Sequence, residues 1–303
     1  MLSLGVDIGG SHIAAGIFDF ERKALIQNTY THTRVNPKAS KDQILSQWSA
    51  TLQETINKID KPVKGIGIAM PGPFDYYNGI SKIQDVDKFQ SLYNVNLRSE
   101  LAVRLNINPS NVRFINDASA FSIAEALLGQ ASKYDKVVAI TLGTGLGASF
   151  VVNAKPIIED TKVPQGGFLY NQYYRNQLAD EVFSTRGITN SYFAISGVQL
   201  NEVKSIAQKA RHERDAQFVF EDFGEKLGEF LKPFLKDFGA ETLVLGGNIS
   251  KAFQLFENTL KMELSFLEKI YVSELGEQAA IIGSALLLED NYYNKLKETL
   301  KLM

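Results

Sequence analysis

Two aspartates and a set of glycine-rich turns carry the residue types with which this chain could bind and move an anionic group. Asp7 sits inside an apolar run and is followed at once by Gly9, Gly10 and Ser11 in "VDIGGSHIAAGIFD". Asp and Gly are both depleted in strands, and each glycine weakens a strand by entropy and lost packing. In exchange the backbone can approach a ligand closely and offer successive N–H groups to an anion. The stretch "LGTGLGAS" (residues 142–149) repeats the device, with Gly143, Gly145 and Gly147 at alternate positions and the hydroxyl of Thr144 between them. A tight hairpin turn selects glycine as well; two matching turns in one chain favour the anion. Asp117 follows the apolar "VRFIN" and precedes "ASAFSIAEALL", the position of a helix N-cap, where the helix N-terminus stabilises a carboxylate.

Other phosphate chemistry is excluded by pattern. A dinucleotide fingerprint needs glycines that open a helix, whereas "ASFVVN" after Gly147 is β-branched and aromatic, as a strand is. No G-x-x-x-x-G-K-[ST] occurs, so a P-loop is absent. The formal net charge of −2 gives no basic field for nucleic acid or a membrane surface. There is no cysteine, which removes disulfides, thiolate nucleophiles and cysteine-ligated zinc. His12, His32 and His212 are far apart in sequence and form no local metal-ligand spacing. The first residues have neither the basic segment nor the apolar length of a signal sequence, and no run approaches the roughly 18–20 apolar residues of a membrane span. A cytoplasmic protein is expected.

The elements that must position these residues follow from periodicity. The length of 303 residues suggests two domains. Residues 2–8 and 12–19 read as strands, and residues 41–58 place Ile44, Leu45, Trp48, Leu52 and Ile56 at helical spacing. "VKGIGIAMPGP" is a buried strand ending in a Pro/Gly turn, "NLRSELAVRLNI" a short helix, "VRFIND" a strand, and residues 117–128 an Ala-rich helix. The pattern then recurs: "KVVAITLGTGLGASFVVN" is strand, turn, strand. A shift of 134 positions puts Asp7 on Thr141, Gly9 on Gly143, Ser11 on Gly145 and Asp19 on Asn153. Residues 218–238 read as an amphipathic helix, "ETLVLGGNIS" as a buried strand closing in glycines, and "AAIIGSALLLE" as a last helix. Two copies of one supersecondary unit imply two lobes of mixed α/β sheet flanked by helices, with a cleft between them.

Five ordered segments carry a resemblance: "DIGGSHIAAGIFD", "GIGIAMPGPFD", "INDASAFSIAEALLG", "ITLGTGLGASFVVN" and "LVLGGNIS". Their order and spacing resemble the ROK sugar kinases, glucokinase-like members of the sugar kinase/actin/heat-shock ATPase superfamily, over roughly residues 2–290. The resemblance implies two RNase-H-like lobes, one of residues 1–115 with a C-terminal helix at about 284–303 packing back, the other of residues 116–283. It implies ATP and Mg²⁺, with Asp7 holding the ion through water and Gly9, Gly10, Ser11, Gly143, Thr144 and Gly145 near the phosphates. Gly246, Gly247 and Asn248 resemble the adenosine motif. Asn116 and Asp117 resemble the catalytic Asn-Asp pair, with Asp117 as the base that takes the sugar hydroxyl proton, and Pro71, Gly72 and Pro73 resemble the sugar-side turn.

The chain departs from the family after the second hairpin. Where members have Gly-Glu-x-Gly-His, it reads Gly166-Gly167-Phe168-Leu169-Tyr170, so Gly167 stands for the Glu and Tyr170 for the His. The cysteine-rich zinc segment is missing, and no zinc site is expected. Glu181 resembles the Glu that closes this region on the sugar. Tyr170 could supply a hydroxyl, and Asn94 or Asn96 amides, although turn and helix-start duty suits these asparagines. The expected function is ATP-dependent phosphorylation of a hexose or N-acetylhexosamine. The alternative is a sugar- or nucleotide-binding regulatory homologue with weakened or lost turnover. A repressor would need a helix-turn-helix before the first hairpin, which is not expected with Asp7 seven residues from the start. An actin-like filament protein would lack the "MPGP" and "ND" segments. A homodimer is implied by the family alone.

Overall fold

The computed structural model describes residues 1–84 and 88–303. Contacts divide the chain into one unit of Met1–Ala124 with Glu277–Met303 and a second of Glu125–Gly276. In chain order the first unit contains β1 (Leu2–Ile8), β2 (His12–Asp19), β3 (Ala24–Leu25), β4 (Thr31–Arg34), α1 (Lys41–Ile56), β5 (Ile66–Met70), β6 (Phe74–Asp75), β7 (Ile80–Ser81), α2 (Leu97–Leu105), β8 (Val112–Asn116) and most of α3 (Asp117–Leu127). The second contains β9 (Lys136–Leu142), β10 (Leu146–Val152), β11 (Lys155–Ile157), β12 (Tyr173–Tyr174), β13 (Gln177–Leu178), α4 (Ala179–Val182), α5 (Thr185–Ser196), α6 (Val203–Lys209), α7 (Arg214–Phe238), β14 (Thr242–Gly246), α8 (Glu257–Glu263) and β15 (Lys269–Val272). The chain then returns to the first unit as α9 (Gln278–Leu286) and α10 (Asp290–Leu302). The segment "AAIIGSALLLE" is therefore not the last helix. Glu289, whose side chain accepts from the Asn291 and Tyr292 amides, caps a further one.

Each unit has its own sheet and its own core. In the first, the strand order is β3-β2-β1-β5-β8, with β4 also pairing β2. In the second it is β11-β10-β9-β14-β15, the same arrangement. In both, the leading hairpin is antiparallel and the two strands beyond it are parallel to its first strand. Amphipathic helices close the faces: Ile44, Leu45, Trp48 and Leu52 of α1 are buried, as its periodicity requires, and Ser40 caps it reciprocally with Gln43. In the second unit, Phe183, Phe220, Phe223, Phe230 and Phe256 build an aromatic cluster around α7. Among the described residues no helix is long and apolar enough to cross a membrane.

The two hairpins do not superpose along their whole length. β1 maps onto β9 at the shift of 134, but Ile8 pairs with Ile13 whereas Leu142 pairs with Leu146. The second turn is one residue shorter. In it the Gly143 amide donates to the Gly145 carbonyl at 3.1 Å, while in the first the Gly9 amide reaches the His12 carbonyl at 3.0 Å. Asp19, the partner of Leu2, thus corresponds to Val152, the partner of Lys136, and not to Asn153.

The unit boundaries fall after Ala124 and before Glu277, whereas the resemblance implied 115/116 and 283/284. The difference lies in two helices. α9 packs directly on β1 and β5. The Ser284 hydroxyl accepts from the Val6 amide at 3.0 Å, and a Cβ on Gly67 would lie 1.8 Å from the Ser284 carbonyl oxygen. A Cβ on Gly283 of α9 would meet the Ala120 carbonyl of α3 at 1.8 Å, so α3 joins the same stack.

Candidate functional site

In the first unit the sequence-nominated residues converge on one sheet edge. β1, β5 and β8 are parallel, Asp7 is level with Ala69, and Met70 is level with Asn116. Their C-terminal ends therefore deliver Asp7 with the Gly9–Ser11 turn, the Pro71–Gly72–Pro73 turn, and Asn116–Asp117 to the same border. That border of a parallel sheet is where open α/β folds bind ligands. The Gly72–Pro73 bond is cis, and Gly72 is exposed.

The Asn-Asp pair divides its labour differently from the sequence expectation. Asn116, not Asp117, is the N-cap of α3: its Oδ1 accepts from the Ser119 amide at 3.1 Å. Asp117 is the first residue of the helix. Asn116 Nδ2 donates to Asp117 Oδ1 at 3.0 Å, and the Ala118 amide donates to the same oxygen at 2.8 Å. Asn116 is buried, and its amide also lies 3.4 Å from the Tyr76 hydroxyl, which donates to the Met70 carbonyl at 2.9 Å. One oxygen of Asp117 is thus locked by two donors, and among the described residues Oδ2 takes no hydrogen bond.

Asp7 is enclosed with like charges. Burial first, then Asp117, then Glu277 push its carboxyl up from 3.8 to about 7. Glu277 stands at the N-cap of α9, so the helix that anchors β1 also brings this carboxylate toward its end. Burial and Coulombic repulsion both disfavour the ionised form, and a cation would relieve both. Among the described residues no three His, Cys, Asp or Glu side chains are grouped to chelate an ion. An oxygen-coordinated ion that keeps much of its water, as Mg²⁺ does, suits a carboxylate that is not part of a chelating cluster.

The backbone donors of the two turns are only partly free. In the first, the Gly9 amide is committed to the His12 carbonyl, and among the described residues the Gly10 and Ser11 amides have no acceptor. In the second, the Leu146 amide donates to Asp180 Oδ1 at 2.8 Å, and the Gly143 carbonyl accepts from the Thr185 amide and hydroxyl at 2.8 and 3.0 Å. Among the described residues the Thr144 and Gly145 amides have no acceptor, and the space a Cβ on Gly143 would enter is open. The "LGGN" segment adjoins this turn. Gly246 pairs with Thr141, and Gly247 has φ +80° with its missing Cβ only 2.3 Å from the Leu142 carbonyl oxygen. Asn248 is exposed and accepts from Lys251 Nζ at 2.8 Å.

The segment that departs from the family in sequence has a left-handed backbone at both of its glycines. Gly166 and Gly167 have φ +73° and +69°, and a Cβ on Gly167 would lie 2.8 Å from the Ile157 carbonyl oxygen. Glutamate would be strained there. Tyr170 is 46 % exposed, its ring 5.6 Å from that of Phe168. Its carbonyl accepts from the Asp180 amide at 3.2 Å, which ties it to the second turn through Asp180. Glu181 is exposed beside a cavity of about 590 Å³ that Arg186, Asn190 and Lys226 also line. Asn96 caps α2 by accepting from Ser99, and Asn94, at φ +58°, sits in a turn and accepts from Lys82.

Sequence reasoning passed over Asp180 and Thr185, which hold the second turn, and Glu277, which bears on Asp7. Asp180 precedes the nominated Glu181 by one residue, and the missing Cβ of Gly145, 2.6 Å from Asp180 Oδ1, was the trace it left.

The model of the ROK family matches residues 3–165, more than half of the chain. The chain belongs to the ROK family. It is 26 % identical to a glucokinase of Thermotoga maritima, over 95 % of this chain and 97 % of the relative. It is 24 % identical to an N-acetyl-D-glucosamine kinase of Haemophilus influenzae, over 93 % and 98 %. Its fold matches a ROK family glucokinase of Streptomyces griseus, solved with glucose and AMPPNP, at a TM-score of 0.74 and 20 % identity, covering 95 % and 99 % of the two chains. This ROK chain therefore has the actin-like ATPase fold that the resemblance implied.

Proposed function

We propose that this ROK protein is an ATP- and Mg²⁺-dependent carbohydrate kinase that phosphorylates a hydroxyl of a hexose or an N-acetylhexosamine. The observation that carries it is the Asn116–Asp117 pair at the C-terminal edge of the first sheet's parallel strands, with one Asp117 oxygen fixed by two donors and the other, among the described residues, without a partner. Relatives named glucokinase and N-acetyl-D-glucosamine kinase, matched along nearly their full length, support the substrate class. Asp117 takes the hydroxyl proton as the sugar oxygen bonds to Pγ and the bond between Pγ and the bridging oxygen of ADP breaks. The Gly10 and Ser11 amides, with those of Thr144 and Gly145, hold the phosphates, and Gly246, Gly247 and Asn248 take the adenosine. Mg²⁺ neutralises charge on the phosphate oxygens when bound, and Asp7 would hold it through water. Gly72, Asn116, Tyr170 and Glu181 contact the sugar, and the assembly carried over from the family is a homodimer.

Asp117→Asn keeps the shape and removes the base. It lowers kcat by about a hundredfold or more in a coupled ADP-release assay over hexoses and aminosugars. Near-wild-type turnover would exclude Asp117 as the base. A second reading, a sugar- or nucleotide-binding regulatory homologue, draws on one observation: the left-handed backbone at Gly167, which bars the family's glutamate. Silence of the wild type across the panel, with ligands still raising its melting temperature, would favour it.

A further inference from the structure

The mechanism above leaves unused an imidazole folded over the first glycine turn. A Cβ on Gly9 would lie 2.3 Å from His12 Cε1 and 2.8 Å from each ring nitrogen. The nitrogen-bearing edge of the ring thus faces the turn, and among the described residues neither nitrogen makes a hydrogen bond. The ring is held in place from behind. β2 and β4 are antiparallel, with His12 opposite Arg34 and Ala14 opposite His32. Residues two apart on a strand share a face, so His12 and His32 are diagonal neighbours. The small Ala14 leaves room for His32 to lean across, and the two rings stack at 5.2 Å with 24° between their planes.

We propose that His12 is a nucleotide-binding residue that donates a hydrogen bond to a phosphate oxygen seated on the Gly9–Ser11 turn, and that His32 is the positioning residue that fixes its ring. This rests on the kinase reading for the presence of a phosphate at that turn, and adds a donor to it. An imidazole that binds a phosphate binds best as the cation, with a charge-assisted bond. In the ligand-free protein burial and the neighbouring His32 push the His12 imidazole down from its usual value, and Glu277 opposes them. Among the described residues the charged groups placed around it are His32 and Arg34 from β4, Glu277 at the start of α9, and Lys88, whose Cδ lies 3.6 Å from where a Gly10 Cβ would be. A phosphate adds negative charge to this set and draws a proton onto His12. Nucleotide affinity therefore gains from His12 more at pH 6 than at pH 8.

Three histidines in the whole chain make this directly readable. With ¹³C-labelled histidine, the ring resonances of the full-length protein are titrated with and without AMPPNP, and assigned with His12→Asn, His32→Phe and His212→Asn. Nucleotide binding is followed in parallel by calorimetry. The titration midpoint of His12 rises by about one unit when AMPPNP binds, while exposed His212 in the second unit does not move. His12→Asn weakens AMPPNP binding about tenfold at pH 6, the scale of one hydrogen bond to a charged group, and less at pH 8. His32→Phe keeps a ring against His12 without its charge, so the His12 midpoint of the free protein rises. If calorimetry shows AMPPNP bound while the His12 midpoint stays still, the assignment of His12 is overturned and the kinase reading survives. Equal affinity of wild type and His12→Asn at pH 6 overturns it as well. If AMPPNP does not bind at millimolar concentration, both fall together.

Discussion

Replacing Asp7 by Asn should stabilise the ligand-free protein while removing its response to magnesium. The reason is the carboxyl value of about 7, raised from 3.8 by burial and by Asp117 and Glu277. A carboxyl that holds its proton more tightly folded than unfolded contributes stability at low pH, and loses it as pH rises toward the folded value. Between about pH 4 and pH 8 the shift of about three units corresponds to about 4 kcal/mol at 1.36 kcal/mol per unit. Asp7 retains some contact with solvent, so screening reduces this to about 2–4 kcal/mol. Asparagine has no charge to bury. The gain of Asp7→Asn over wild type is therefore largest at pH 8 and shrinks toward zero near pH 4. At a few degrees per kcal/mol for a unit of this size, the melting temperature at pH 8 rises by roughly 5–12 °C. The assay is thermal unfolding of both proteins across pH 4–8 without metal or nucleotide, repeated with Mg²⁺ and AMPPNP. An equal shift at every pH, or a lower melting temperature for Asp7→Asn at pH 8, would refute the enclosed-carboxylate account.

Asn116→Ala removes the cap of α3 and one of the two donors on Asp117. Thermal or urea unfolding should register about 1 kcal/mol of destabilisation, and kcat should fall with KM for ATP little changed, because the loss is at the base. Gly67→Ala places a methyl 1.8 Å from the Ser284 carbonyl. Since a helix backbone must yield, unfolding experiments should show a loss of at least 1–3 kcal/mol, typical of overpacking.

The secondary elements around both glycine turns were legible because their signals are local. Alternating or continuous apolar runs give β1, β2, β5, β8, β9, β10 and β14, and helical spacing gives α1 and α7. Asp7 and the two glycine turns could be nominated because each contradicts the propensity of its own segment: Asp7 and Gly9 stand where a strand alone would have taken β-branched residues. Asp117 fits its helix start, and the resemblance nominated it. The break between α9 and α10 was not legible: the resemblance implied one C-terminal helix at about 284–303, and the buried positions of α10, Tyr293, Leu296, Thr299 and Leu300, are interleaved with charges. Register was hidden too. A one-residue difference between hairpin turns leaves no trace in composition, yet it decides that Asp19 matches Val152.

The repeated strand-turn-strand plan and the residues that interrupt it are readable from the chain alone, since backbone propensity and periodicity act over a few neighbours. Which groups meet was decided by tertiary structure. Parallel pairing of β1, β5 and β8 brings Asp7, Gly72 and Asp117, from three separate stretches of the chain, to one sheet edge. The return of α9 carries Glu277 to the same place, pairing of β2 with β4 stacks His12 on His32, and packing of α4 sets Asp180 beneath the second turn. Proton affinity, orientation and ligand access all depend on distances of a few ångströms between residues remote in sequence, and only the packed chain fixes those.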